Sequence, residues 1–277
     1  MKKKLPTIII ILIFLIGLSI TLYPTAADFY NKKVGSYAVK NYKKEVETKN
    51  DDYINEILRK ADEYNKELLN KETKFVNGEV KDQNYLSQLK VSDQSDIMGE
   101  IEIEKIKVKL PIYHGTSQPV LQAGVGHIEG TALPVGGKGN HSVLSGHTGL
   151  PSAKLFTGLD KLKQGDKFKI TVLNRVLYYK VDNIAVVKPN ETELLNPIEN
   201  EDLVTLVTCT PYGVNSHRLL VRGKRTVGDE PTNNKDTNKE VQNNKLTTED
   251  IEIIILLGIG IVTISVVVYG KIKNRDY

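Results

Sequence analysis

Residues 203–225 read LVTLVTCTPYGVNSHRLLVRGKR. Two β-branched, apolar runs flank a short turn punctuated by Pro211 and Gly213, which predicts a β-hairpin. Cys209 closes the first run and Arg218 opens the second. A hairpin brings the two together on neighbouring strands at the mouth of the loop. A thiol beside a fixed cation ionises more readily and becomes a nucleophile.

Working outward, the chain from Met98 to Thr226 carries the same short, alternating pattern: IEIEKIKVKLPIYHG, HSVLSGH, KFKITVL and VLYYKVDNIAVV. Gly, Pro, Asn and Asp separate these runs at intervals typical of a closed all-β domain. The pattern predicts a mainly β fold, a closed barrel of about eight strands, over residues 98–226, and a region of that size buries enough surface to fold.

The segments around the barrel read differently. Lys2, Lys3 and Lys4 precede an apolar run over residues 5–22, long enough to span a bilayer with its basic end in the cytoplasm. Thr25-Ala26-Ala27 faintly resembles a cleavage site, but the run is long for a signal peptide and reads as an uncleaved anchor. A second apolar run covers residues 253–269, with Glu249, Asp250 and Glu252 before it and Lys271, Lys273 and Arg275 after it. That asymmetry turns the C-terminus inward.

The expected organisation is therefore a tail and first span (1–23), a helical region with a loop (24–97), the β domain (98–226), a disordered linker (227–250), a second span (251–270) and a short tail (271–277). The catalytic region lies outside the cell, on a two-span membrane protein. Within 24–97, Tyr53, Ile57, Ala61, Tyr64 and Leu68 recur at helical spacing, with Asp51 and Asp52 as candidate caps. Residues 71–96 are polar with sparse apolar side chains and read as a loop or a mobile cover.

The net charge of +4 is small and scattered, which argues against nucleic-acid binding. One cysteine excludes an intramolecular disulfide. No carboxylate cluster points to a calcium site, and no motif points to a cofactor. An idle thiol is disfavoured in an oxidising compartment, so Cys209 reads as a nucleophile, against the plainer reading of a small buried core residue.

Its base is an imidazole. Five histidines are candidates: His114, His127, His141, His147 and His217. Strand alternation sends His217 to the face opposite Arg218. His114 and His127 sit in Gly-rich turns, and His141 starts a strand. His147 opens the loop HTGLPSAKLF, a position that presents a side chain at a barrel mouth. Spacing favours His147 without eliminating the rest.

Three stretches, LPIYHGTSQPVLQAGVGHIEGTALPVGG, LSGHTGLPSAKLFTGLDKLKQGD and LVTLVTCTPYGVNSHRLLVRGKR, together resemble a class C sortase, the pilin-polymerising kind. The TLVTC run, Thr205 to Cys209, matches that family's signature, and the resemblance covers about residues 98–225. It implies Cys209 as nucleophile, His147 as the catalytic histidine and Arg218 as the residue orienting substrate and stabilising the oxyanion. It further implies substrates that are secreted pilins or surface proteins with a C-terminal LPxTG-like sorting signal, cleaved between Thr and Gly through a thioester and passed to a pilin lysine. Anchoring to cell-wall peptide amines is the alternative outcome, and a non-catalytic display domain is the rival from another class. Class C members commonly carry an Asp-Pro-aromatic lid. Residues 70–96 hold no Asp-Pro pair, which leaves Phe75 and Tyr85 as the aromatic candidates for a plug.

Overall fold

The computed structural model describes residues 5–69, 75–76, 78–92 and 95–227, which fall into two compact units dividing between Ala27 and Asp28. The first unit is the start of α1 (Leu5–Glu47). Its Ile10, Leu12, Ile13 and Ile20 are exposed, while Ser19 and Thr21 return their hydroxyls to the carbonyls of Leu15 and Gly17. Apolar side chains facing outward with polar groups satisfied inside the helix suit hydrocarbon. This is the one described helix long and apolar enough to cross a membrane. The second run, 251–270, and the linker beyond Val227 lie outside the described residues.

The second unit begins at Asp28, within the residues of α1. Val39 and Tyr42 become buried there. The Tyr42 hydroxyl accepts from the Leu173 amide (2.9 Å) and donates to the Met98 carbonyl (3.2 Å). The chain breaks only at 48–50, and α2 (Asp51–Leu69) follows. Its cap is Asn50, one residue before the carboxylates proposed from sequence: Asn50 Oδ1 accepts from the Tyr53 amide at 2.8 Å. Asp51 and Asp52 occupy the first turn, where negative charge complements the helix dipole. The buried face is Ile54, Leu58, Ala61 and Asn65 with Tyr64, rotated by one residue from the stripe expected. Tyr53 is largely exposed and reaches over the edge to the Val91 carbonyl.

The segment read as a loose cover is packed where it is described. Asp82 caps the short α3 (Gln83–Ser87), and Tyr85, Leu89 and Val91 join the main core. Their spacing follows neither period, so a pattern search passes over them, yet each buries a large apolar surface.

Eight strands close the barrel: β1 (Ile97–Ile103), β2 (Val108–His114), β3 (Val125–His127), β4 (His141–Ser145), β5 (Lys167–Val172), β6 (Arg175–Val187), β7 (Leu203–Thr210) and β8 (His217–Thr226). The hydrogen-bonded order is β1-β2-β3-β4-β7-β8-β6-β5. Two pairings, β2 with β3 and β4 with β7, are parallel, and the others are antiparallel. A short helix, α4 (Gln118–Ala123), makes the crossover from β2 to β3.

Alternation sorts the strand side chains between two apolar clusters. Leu144, Val204, Leu206, Leu219 and Val221 belong to the main core. Val143, Val207 and Leu220 face the other way, with Ile128 and Leu195, in a second, smaller cluster. That outward cluster is the surface leading to the site.

Candidate active site

The β7–β8 hairpin has the predicted form. Its loop turns through Gly213 and Asn215 at positive φ, with the Val214 and Asn215 amides both donating to the Pro211 carbonyl. The register pairs Cys209 with Arg218 and Thr210 with His217. Cys209 shares the outward face with Val207, and Arg218 with Leu220, because side chains two apart on a strand point the same way. His217 has the opposite parity. Its Nδ1 lies 2.9 Å from the Ser216 hydroxyl, so it braces the turn.

His147 comes to this face from β4. Parallel pairing runs from His141 opposite Leu203 to Ser145 opposite Val207. Two further bonds extend it: the Gly146 amide donates to the Val207 carbonyl (3.0 Å) and the Thr208 hydroxyl donates to the Gly146 carbonyl (2.7 Å). The last paired residues, Ser145 and Val207, stand two residues before His147 and Cys209, so the ladder directs His147 toward the end of β7 that carries Cys209. The two strands beside β7 therefore carry Arg218 and lead to His147 at the end that bears Cys209.

Cys209, His147 and Arg218 are each partly buried, and Cys209 is a free thiol. Burial holds the His147 imidazole below its ordinary pKa, because a low-dielectric surrounding disfavours the charged ring. The ring is thus neutral at neutral pH and available to take a proton. Arg218 Nη1 donates to the Asn215 carbonyl (3.2 Å) and to the His217 carbonyl (3.0 Å). These bonds steady the fork while leaving other guanidinium donors for a ligand.

The remaining histidines brace the fold. His127 is fully buried; its Nε2–H donates to the Ala132 carbonyl (2.9 Å), and its Nδ1 accepts from the Tyr85 hydroxyl (2.8 Å). His114 donates from Nε2 to the Gln88 carbonyl. His141 donates from Nδ1 to Asn196 and accepts at Nε2 from Thr205. Burial lowers all three pKa values. His114 and His127 stand at the ends of β2 and β3 and brace the segment that carries Tyr85 and Gln88.

The two aromatic residues considered as a plug part company. Tyr85 lies in the main core and its hydroxyl is occupied by His127 and by the Gly115 amide, so it does not cover Cys209. Phe75 packs on the outward cluster of Val143, Val207 and Leu220. Its neighbour Val76 donates an amide bond to the Glu129 carbonyl.

The β7–β8 loop also meets the loop that follows His147. A Cβ built on Gly149 would come 2.8 Å from the Tyr212 ring, and Tyr212 is 70% exposed. The reading of the sequence passed over Tyr212; its signal was an aromatic residue inside the turn that follows the cysteine. Among the described residues, no group of three or more His, Cys, Asp and Glu side chains converges for a metal ion.

A sortase domain model matches residues 101–226. The chain is similar to the solved structure of sortase C1 from Streptococcus agalactiae, at 46% identity and a TM-score of 0.64 over 70% of this chain and 100% of that one. It is similar to sortase C of Streptococcus pneumoniae, a structure described as informing catalysis and pilin substrate specificity, at 40% identity and a TM-score of 0.64 over 70% and 98%. It is also similar to Clostridium perfringens sortase C solved with the C-terminal cell wall sorting motif, at 42% identity and a TM-score of 0.61 over 70% and 100%. With the barrel order and the Cys209 hairpin, these likenesses lead to one conclusion: the chain belongs to the sortase family, as a cysteine transpeptidase of its class C.

Proposed function

We propose that the protein polymerises pilins outside the cell, held by apolar runs at residues 5–22 and 251–270 with both tails in the cytoplasm. A secreted subunit presents a C-terminal LPxTG-like sorting signal. The neutral His147 imidazole takes the Cys209 proton, the resulting thiolate attacks the Thr carbonyl, and Arg218 donates hydrogen bonds to the oxygen as charge develops on it. The His147 imidazolium gives its proton to the departing Gly amine, and the Thr–Gly bond breaks, leaving a thioester on Cys209. A lysine amine of another pilin then attacks the thioester. His147 takes the amine proton, the thiolate leaves, and an isopeptide bond remains.

The observation that supports this reading is the register at the end of β7, where Cys209 pairs with Arg218 and the parallel β4 ladder ends two residues before His147. The acceptor rests on the class C likeness and on the pilin specificity named for the Streptococcus pneumoniae enzyme. Attack by an amine in preference to water calls for a covered site, and Phe75 on the outward apolar cluster supplies part of that cover.

Purified enzyme is mixed with a sorting-signal protein and offered either a pilin or a cell-wall peptide amine. Covalent ladders of pilin support the proposal. Transfer to the wall peptide alone would reassign the acceptor, and hydrolysis alone would remove transpeptidation as the activity of these components.

A further inference from the structure

The loop between β4 and β5 carries His147 at its root and is held from two directions. Its own bonds close the root: the Phe156 amide donates to the His147 carbonyl (3.0 Å), and the Gly149 amide donates to the Thr157 hydroxyl (3.0 Å). Phe156 is fully buried, and its ring lies against Gly146. The tip of the loop is held by α1. Asn31 Nδ2 donates to the Ser152 carbonyl at 2.7 Å, and Asp28 Oδ1 accepts from the Lys154 amide at 2.7 Å.

Asp28 and Asn31 are three residues apart, so they project from one face of the helix. Asp28 is 9% exposed, and its second oxygen holds Lys32 at 2.9 Å. A buried carboxylate and an amide spend their polar groups on the backbone of this one loop, across 126 and 121 residues of sequence. Neither residue stands out in the sequence, where the first span was expected to end just before them.

We propose that Asp28 and Asn31 are positioning residues, a two-point clamp by which the anchor helix sets the His147 imidazole against Cys209. This rests on the reading of His147 as the acid–base group. The clamp fixes the loop in direction as well as in place, since one point donates to a carbonyl and the other accepts from an amide two residues on. Releasing it lets the tip swing about the bonds at the root, and the imidazole at the root turns with it. The helix that carries the candidate membrane span thereby sets the geometry of proton transfer.

The test uses the full chain in detergent, with a sorting-signal peptide as donor and an amine as acceptor. Asn31→Asp keeps the size of the side chain and removes the donor, while Asp28→Ala removes the acceptor. Asp28→Asn keeps an oxygen for the Lys154 amide and serves as the conservative rescue. The expected result is a fall in kcat of roughly tenfold to a hundredfold for Asn31→Asp and Asp28→Ala, since misplacement of a reacting group by about 1 Å costs on that order. KM for the peptide stays within about twofold, because the clamp does not line the outward apolar face. The acid limb of the pH–rate profile moves up, because a loosened loop hydrates the ring that burial now holds down. Asp28→Asn restores most of kcat.

Wild-type kcat in both clamp variants, while His147→Ala is inactive, overturns the clamp and leaves the base assignment standing. Activity retained by His147→Ala overturns the base assignment and the clamp with it. A fall in kcat with an unmoved acid limb and no rescue by Asp28→Asn would reduce the two residues to a general stabilising role and refute positioning.

Discussion

Acidification tests the interior of the barrel at His127. This ring is fully buried, and burial pulls its pKa to about 4. The unfolded chain binds the same proton with an ordinary pKa near 6.5. The folded state therefore holds His127 neutral, and its contribution to stability is fully present above about 6.5 and lost progressively as the pH falls towards 4. Between pH 7.5 and pH 5 the loss works out at about 2 kcal/mol for this one group. His114 and His141 are lowered by burial too and add to the loss. Asp202 and Glu129, whose carboxyls burial raises, act in the opposite sense. The His127 share is isolated by comparing wild type with His127→Gln, whose amide nitrogen still reaches the Ala132 carbonyl and which does not titrate. The chain has no tryptophan, so urea unfolding of residues 28–227 is followed by far-UV circular dichroism at both pH values. The variant is expected to lose about 2 kcal/mol less than wild type on going to pH 5. An equal loss in both proteins would refute the assignment of the acid sensitivity to this ring.

Arg218→Lys keeps the charge but loses the planar fork and its bonds to Asn215 and His217, and turnover is expected to fall on the order of a hundredfold, read as kcat in the peptide-transfer assay. His147→Ala is expected to abolish measurable transfer, while His217→Ala, on the opposite face of β8, keeps activity within about threefold; the reverse ranking would show the wrong histidine was chosen. Gly223→Ala drives a methyl group to 2.5 Å from the Phe168 ring, in its stack with Tyr179, and is expected to destabilise the barrel by about 1–3 kcal/mol in urea.

The barrel was legible because alternation survives in β5 and in the first half of β6, while β4 and β7, buried on both faces, remain as short apolar runs bounded by turn residues. The pairing of Cys209 with Arg218 was legible because a short Gly/Pro turn leaves little freedom in register. Other features lay beyond local pattern. Asn50 outranks Asp51 as a cap because the chain bends one residue earlier than composition implies. The continuation of α1 to Glu47 depends on tertiary partners of Tyr42, Met98 and Leu173, that lie far along the chain. Tyr85 looked like a residue of a polar loop because its burial is created by His114, His127 and Gly115, which no spacing rule connects to it. His147 was separable from the other histidines only weakly by pattern, since the parallel ladder that leads toward it joins strands about sixty residues apart.

The most direct measurement is mass spectrometry of the full chain trapped with a sorting-signal peptide. The account predicts a mass increase on Cys209 equal to the peptide acyl fragment ending at Thr, with release of the fragment beginning at Gly and no adduct in Cys209→Ala. An adduct on another residue, or the same cleavage by Cys209→Ala, would contradict it.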